Sequence, residues 1–124
     1  MVRLGKVSRA LGNHGERCAV RYLESLGLEI VERNWRCPRG ELDIVAFDPS
    51  DDTLVFVEVK TRSGLGFGSP LEAITYAKAR RLYQLALLWL GSSGRRARHI
   101  RVDGVGVLFG AGAPQISHIR GIAS

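Results

Sequence analysis

The sequence predicts an α/β domain in which helices cover both faces of a mixed central sheet. Two stretches have helical periodicity, and the apolar runs GELDIVAFD and LVFVEVKTR have the composition of strands buried on both faces. A length of 124 residues fits a single domain, and 45% hydrophobic with 24% charged residues is typical of a folded protein. The predicted order is helix, three strands, helix and strand, with a weaker final strand.

The first helix is predicted over residues 13–26. Asn13 is a suitable N-cap residue, and Gly27 is typical of a helix end. The stretch before Asn13 carries basic side chains and two glycines without a sustained period. We therefore expect residues 1–12 to form a basic flexible arm and residues 13–124 to form the single domain.

The elements that follow are assigned from apolar runs and from the turn residues between them. The six-residue connection between the two long strands favours an antiparallel hairpin. A glycine-rich loop then leads to Ser69 and Pro70, a strong helix start. The predicted strands cover residues 28–33, 40–48, 54–62, 100–109 and 115–119, the loop contains Gly64, Gly66 and Gly68, and the second helix ends at Gly91.

Four charged residues interrupt the apolar runs of the two long strands: Glu41, Asp43, Glu58 and Lys60. Strand side chains alternate between faces, so each strand presents its two charges on one face. In the register that the short turn favours, Asp43 faces Glu58 and Glu41 faces Lys60, all on one side of the sheet. Opposed carboxylates repel each other and resist desolvation, so positive charge must compensate them. This favours a divalent-cation site, and a salt-bridge cluster with Lys60 and a nearby arginine is the alternative.

Each predicted helix carries one charged residue at a position where its pattern predicts an apolar one. Glu16 lies on the apolar stripe of the first helix and would point inward as a third acid, although it also suits a capping box with Asn13. Lys78 interrupts the apolar stripe of the second helix. Its side chain either snorkels to solvent or faces a phosphate-binding site.

The charge balance favours a polyanionic partner. Eighteen Lys and Arg residues against twelve Asp and Glu residues give a net charge of +6. Part of this charge is concentrated in the run Arg95, Arg96, Arg98 and Arg101, which would bind nucleic acid with release of counterions.

The compartment is predicted from cysteine use and from the absence of long apolar runs. Cys18 and Cys37 are too few for a disulfide framework and fit a reducing compartment. No apolar run has the length of a membrane span or of a signal peptide core. We therefore expect a cytoplasmic protein with no membrane partner.

These residues carry a family resemblance. Asp43, followed across a turn by Glu58-Val59-Lys60, resembles the D…(D/E)xK signature of the restriction-endonuclease-like nucleases, which include archaeal Holliday junction resolvases. Over residues 10–108 the chain more closely resembles the YraN-like (UPF0102) family of small bacterial proteins. The matching pieces include Gly15-Glu16, GELDIVAFD, LVFVEVKTR, Lys78 and Arg101-Val102-Asp103.

The resemblance implies a restriction-endonuclease-like core and a site for Mg²⁺ or Mn²⁺. By this resemblance Asp43 and Glu58 hold the ion, Glu16 completes the site, and Lys60 orients the attacking water or helps to deprotonate it. The implied function is a metal-dependent endonuclease acting on nucleic acid, with DNA favoured over RNA and branched or structured DNA as a candidate substrate. Resolvase-like enzymes often pair two sites, which leaves a homodimer open. The expected nucleic-acid contacts are Lys78, Arg62, Arg95, Arg96, Arg98 and Arg101.

Two alternatives to a nuclease remain at this point. The first is a non-catalytic nucleic-acid-binding protein that retains the nuclease fold. The second is a structural interaction protein in which the positive charge is incidental. The four acidic and basic residues Glu16, Asp43, Glu58 and Lys60 favour the nuclease, because a binding module has little reason to keep mutually repelling acids.

Overall fold

The computed structural model describes residues 2–64 and 69–123, with side chains from residue 9 onward. Most of the predicted glycine-rich loop lies outside these residues. Within them no helix is long and apolar enough to cross a membrane. The elements are α1 (Val2–Ser25), β1 (Glu29–Cys37), β2 (Gly40–Asp48), β3 (Thr53–Ser63), a 3-10 helix (Pro70–Ala73), α2 (Tyr76–Ser93), β4 (His99–Phe109) and β5 (Gln115–Ala123).

The described strands form one mixed five-stranded sheet, in the order β1-β2-β3-β4-β5. β3 and β4 pair in parallel, and the other neighbouring pairs are antiparallel. Parallel neighbours need a crossover connection, and the segment that contains α2 supplies it. The predicted α/β class and mixed sheet are confirmed at this level.

The first helix begins at Val2 instead of Asn13, so the backbone of residues 2–12 is helical rather than a loose arm. The two glycines of this stretch cost about 1 kcal/mol each relative to alanine, but its Leu, Arg, Lys and Ala residues are good helix formers. A helix that is already nucleated extends through such a segment at little cost. The end of the helix is as predicted, because Gly27 has a φ of +91°.

The first hairpin is longer and tighter than predicted. β1 extends to Cys37, and Pro38 and Arg39 alone form the turn before β2. Pairing with β2 explains the extension, because Trp35 lies opposite Leu42 at a position that the sequence indicated as loop. β2 has the predicted bounds.

The second helix begins later than predicted. Residues Pro70–Ala73 form a 3-10 turn capped by the Ser69 side chain, and α2 starts after Thr75, which caps it. The helix continues past Gly91 and stops at Gly94, whose φ is +71°. A left-handed residue ends a helix, whereas a glycine within it only weakens it.

The sheet is covered on both faces, as predicted. α1 packs Ala19 and Leu23 on one face, and α2 packs Leu82, Ala86 and Trp89 on the other. Alternation along the strands supplies both layers. Ile44, Ala46, Val55, Val57, Val105 and Val107 lie on the α1 side, and Val45, Leu54, Phe56 and Val102 lie on the α2 side.

Candidate functional site

The site lies where β2 and β3 stop pairing. The predicted register is confirmed from Asp48 to Ile44, which pairs with Val57, and the ladder ends there. Asp43 and Glu58 would form the next pair. Instead, the Asp43 carboxylate accepts a hydrogen bond of 2.8 Å from the backbone N–H of Val59. A carboxylate therefore takes the place of main-chain pairing between the two strands.

The alternation of faces is interrupted at Asp43. Ile44 packs on the α1 side and Val45 on the α2 side, but Leu42 also packs on the α2 side. Asp43 consequently opens toward α1, whereas Glu58 opens toward α2. The prediction that the charges share one side of the sheet is wrong, because the two strands part before these residues are reached.

Two clefts meet this point from opposite faces. The α1 cleft has a volume of about 560 Å³ and contains Glu16 and Asp43. The α2 cleft has a volume of about 310 Å³ and contains Glu58 and Lys60. Glu41 lines both clefts, at the open end of the sheet.

Asp43 and Glu58 interact directly through their carboxyl groups. Burial of Glu58, the hydrogen bond to Asp43 and the negative charge of Asp43 raise the pKa of Glu58 to about 9, while Lys60 opposes the rise. At neutral pH Glu58 therefore holds a proton, which removes its charge repulsion with Asp43. Such a pair can exchange its proton for a cation that prefers oxygen ligands.

Glu16 points inward, as predicted, but it is engaged by another residue. Its side chain is 11% exposed, and Arg33 donates to its Oε1 from Nη2 at 3.2 Å and from Nε at 3.3 Å. Because α1 begins at Val2, Glu16 is not part of a capping box. Within the described residues no three His, Cys, Asp or Glu side chains are grouped to hold one metal ion. The structure thus brings Asp43 and Glu58 together, and leaves Glu16 paired with Arg33.

A close contact fixes α1 beside the site. A Cβ atom at Gly15 would overlap the Thr61 hydroxyl group of β3, so the helix can approach the strand this closely only with glycine at that position. Gly15 precedes Glu16, so the contact sets the position of Glu16 at the α1 cleft. Sequence reasoning did not identify this role of Gly15.

Lys78 lies in the α2 cleft with Glu58 and Lys60. Its side chain is exposed rather than part of the core stripe, and its Nζ donates to the backbone carbonyl of Ala73 at 3.3 Å. Arg39 and Arg81 line the same cleft. Residues three apart on a helix lie on the same side, so the spacing of Lys78 and Arg81 could have indicated from the sequence that Arg81 lies in this cleft.

The predicted arginine run lies away from the carboxyl pair. Arg101 is opposite Val55 of β3, and Glu58 is three residues further along the strand, a distance of about 10 Å. Arg95, Arg96 and Arg98 precede β4 at the same end. Of these, Arg95 lies over the ring of Phe47, with its guanidinium carbon 5.7 Å from the ring centroid. Arg62, by contrast, continues the face of Lys60 along β3.

Asp103 forms a separate buried cluster. It accepts hydrogen bonds from Arg101 at 2.8 and 3.1 Å, from His118 at 2.8 Å and from the Gly121 N–H at 3.1 Å. Burial acts to raise the pKa of Asp103, but these hydrogen bonds and the charge of Arg101 outweigh it and lower the pKa. Tyr22 of α1 hydrogen-bonds the other ring nitrogen of His118 at 3.0 Å. This cluster ties α1, β4 and β5 together.

Comparison with known proteins gives a consistent set of relatives. Residues 15–107 match the model of a family described as uncharacterised protein family UPF0102. A UPF0102 protein of Beutenbergia cavernae is 57% identical over 114 residues, which cover 91% of this chain and 95% of that protein. UPF0102 proteins of Rhodococcus jostii and Nocardia farcinica are 54% and 50% identical, over 90% and 98% of this chain and 93% and 94% of their own lengths.

Proposed function

We propose that this chain, which belongs to the uncharacterised protein family UPF0102, is a metal-dependent endonuclease with a restriction-endonuclease-like core that hydrolyses DNA phosphodiester bonds. The observation that carries the proposal is the meeting of the Asp43 and Glu58 carboxyl groups where β2 and β3 part, with Lys60 on the same strand face as Glu58. The clefts on the two sides of this point give a substrate access to it.

The donor set fits Mg²⁺ or Mn²⁺. Both side chains offer oxygen atoms, and Mg²⁺ is commonly bound by one or two carboxylates together with water and substrate phosphates. Asp43 and Glu58 would hold the ion in place of the proton that they share. When bound, the ion would neutralise phosphate charge and lower the pKa of a bound water.

Lys60 and Lys78 supply the positive charge of the α2 cleft next to the carboxyl pair. We assign the ammonium group of Lys60 to orienting the attacking water and to stabilising negative charge that develops on the phosphate. A fixed cation at such a position contributes to the rate more than to affinity, because the charge that it stabilises is greatest in the transition state. Lys78 lies further out and is assigned to phosphate binding.

The second candidate function is non-catalytic nucleic-acid binding. It is favoured by the ion pair between Glu16 and Arg33, which occupies the third carboxylate that the family resemblance assigns to the metal. Under this alternative the carboxyl pair of Asp43 and Glu58 is a retained structural feature, and DNA binds through the basic residues alone.

A cleavage panel separates the two functions. Linear duplex, single-stranded, flapped and four-way DNA are incubated with the protein and either Mg²⁺ or Mn²⁺, with Asp43→Asn prepared in parallel to exclude a contaminating nuclease. Cleavage by the wild type that is lost in Asp43→Asn supports the enzyme. DNA binding without any cleavage supports the binding protein, and failure to bind or cleave rejects both.

Lys60→Ala tests the catalytic assignment once cleavage is found. We expect the single-turnover rate to fall by about a hundredfold or more, with DNA affinity changed only a few-fold. Arg96→Ala is the matched control, because it removes one positive charge at the opposite end of the sheet. If Lys60→Ala cleaves at the wild-type rate, Lys60 is only a counter-charge for the neighbouring acids.

A further inference from the structure

A groove of about 490 Å³ runs along the exposed side of α2. Its helical residues recur at intervals of three and four, so they form one stripe along the helix, next to the stripe that packs on the sheet. The turn between β1 and β2 forms the opposite wall. The groove is lined by Arg39, Ala77, Arg80, Arg81, Gln84, Leu85 and Leu88.

A hydrogen bond fixes the two walls of this α2 groove. Arg81 donates from Nη2 to the backbone carbonyl of Arg39 at 3.2 Å, which holds the turn against the helix. Arg39, Arg81 and Leu85 also line the α2 cleft that contains Glu58 and Lys60. The groove is therefore continuous with the candidate active site.

The charge of the α2 groove is uniformly positive. Three arginines line it and no acidic residue does. Arg33, Arg36 and Arg101, which pair with carboxylates, lie outside this groove. Guanidinium groups bind phosphate through paired hydrogen bonds, and the methylene and leucine surface between them suits the sugar face of a nucleotide.

We infer that the α2 groove binds the phosphate backbone of a DNA strand on one side of the bond to be cleaved. This inference rests on the proposed function and specifies how the substrate lies in that site. From Lys78 to Leu88 the helix rises about 15 Å, which equals the rise of about four base steps along the axis of duplex DNA. Substrate contacts thus belong to Arg39, Arg80 and Arg81 rather than to the arginine run before β4.

Two charge-matched triple variants test the inference. The groove variant carries Arg39→Gln, Arg80→Gln and Arg81→Gln, and the control carries three equivalent substitutions at Arg95, Arg96 and Arg98. The affinity for a fluorescent DNA is measured without metal over a salt series, so that cleavage cannot interfere. We expect the groove variant to bind at least tenfold more weakly, with a salt slope smaller by about two to three units. The control should change affinity only a few-fold.

Loss of the bond between Arg81 and Arg39 could disturb the turn, so Arg80→Gln is measured alone. Arg80 makes no hydrogen bond or ion pair within the described residues, and its substitution should weaken binding by several-fold without lowering the melting temperature. Neutral methylphosphonate linkages give a second readout. Placed at about four positions on each side of the cleaved bond, they should weaken wild-type binding on one side only, and this asymmetry should vanish in the groove variant.

The outcomes separate the inference from the proposed function. A wild type that neither binds nor cleaves DNA rejects the proposed function. A wild type that binds or cleaves, with a control triple variant weakened as much as the groove variant, overturns the inference alone. Competition by an acidic polypeptide at the same charge concentration as effectively as by DNA would also overturn it, in favour of a protein partner.

Discussion

A buried carboxyl group, that of Asp103, and a half-buried one, that of Glu58, lie on adjacent strands of this sheet and are stabilised in opposite ways. Asp103 is opposite Val57, and Glu58 is opposite Gly104, so the two acids occupy neighbouring rungs of β4 and β3. Hydrogen bonds and the charge of Arg101 overcome the effect of burial and lower the pKa of Asp103. Burial and Asp43 raise the pKa of Glu58 to about 9.

The contrast distinguishes the structural cluster around Asp103 from the site at Glu58, where a bound proton can be exchanged for a cation. Asp103 has no exposed surface, and its cationic and hydrogen-bonding partners come from β4 and β5 themselves. Glu58 is compensated by a proton that it shares with Asp43, and a cleft reaches it. A perturbed pKa inside a cleft is a candidate functional feature, because the stored proton can be replaced when a cation or substrate arrives.

The largest expected effect comes from breaking the structural cluster. Asp103→Asn removes the buried charge that Arg101 and His118 pair with, and we expect the free energy of unfolding to fall by about 3 kcal/mol. Asp51→Asn, in the exposed turn before β3, is the control and should change it by less than about 0.5 kcal/mol. Urea unfolding measures both.

The pH dependence of this loss has a defined sign. Because the pKa of Asp103 is lowered in the folded state, its stabilisation is present above the unfolded pKa of about 3.9 and is lost as the pH falls through the folded value. The difference between Asp103→Asn and the wild type should therefore shrink in acid. A difference that is equal at pH 7 and pH 2 would show that the carboxylate charge is not what stabilises the cluster.

The next effect concerns α1, which contacts both regions. Gly15 touches Thr61 beside the α1 cleft, and Tyr22, about 10 Å further along the helix, bonds His118 of the structural cluster. Gly15→Ala should lower the free energy of unfolding by about 2 kcal/mol through overpacking. It should perturb the α1 cleft more than the ring resonances of His118, which NMR can follow.

Gly12→Ala is the matched control on the same helix. Nothing lies within 4 Å of a Cβ atom there, so alanine should stabilise the helix by up to about 1 kcal/mol. Thr61→Ala should rescue part of the loss in Gly15→Ala, since it removes the hydroxyl that the new methyl group would overlap. Equal effects of the two glycine substitutions would mean that the helix and β3 are not in close contact.

Much of the sheet was predictable, for local reasons. The bounds of β2 and its register with β3 follow from two dense apolar runs joined by a short turn, which leave one pairing that buries both faces. The start of α1 was missed because Asn13 resembles an N-cap, although nothing in the preceding stretch prevents a helix. Cap signals mark where a helix can begin, and propensity decides whether it begins earlier.

The site was predictable in its residues but not in its arrangement. The spacing of the charges identified Asp43, Glu58 and Lys60 as exceptional, because charge inside an apolar strand needs a partner. The end of the ladder at Ile44 and the interruption of alternation at Asp43 depend on how both helices pack. The pairing of Glu16 with Arg33 joins residues seventeen positions apart, a contact that side-chain type alone does not specify.

The last substitution, Glu58→Gln, is expected to raise the stability at alkaline pH. The folded pKa of Glu58 is raised, so its stabilisation is complete below its ordinary pKa of 4.5 and is lost as the pH rises through about 9. Glutamine has no proton to lose. The variant should therefore match the wild type below about pH 4.5, and the difference in free energy of unfolding should then grow in its favour by up to about 1.4 kcal/mol for each pH unit toward pH 9. This trend is opposite to that of Asp103.

Mn²⁺ provides the second readout for Glu58→Gln. A proton and a cation compete for the same carboxyl pair, so millimolar Mn²⁺ should raise the melting temperature of the wild type more at pH 8 than at pH 6. Glu58→Gln should lose this shift, whereas Glu24→Gln on the exposed surface of α1 should keep it. A variant no more stable than the wild type at pH 8.5 would mean that Glu58 and Asp43 do not share a proton. The substitution could also stabilise the protein while Mn²⁺ has no effect on the melting temperature of the wild type. That outcome would show that the two carboxyl groups share a proton but do not bind the ion.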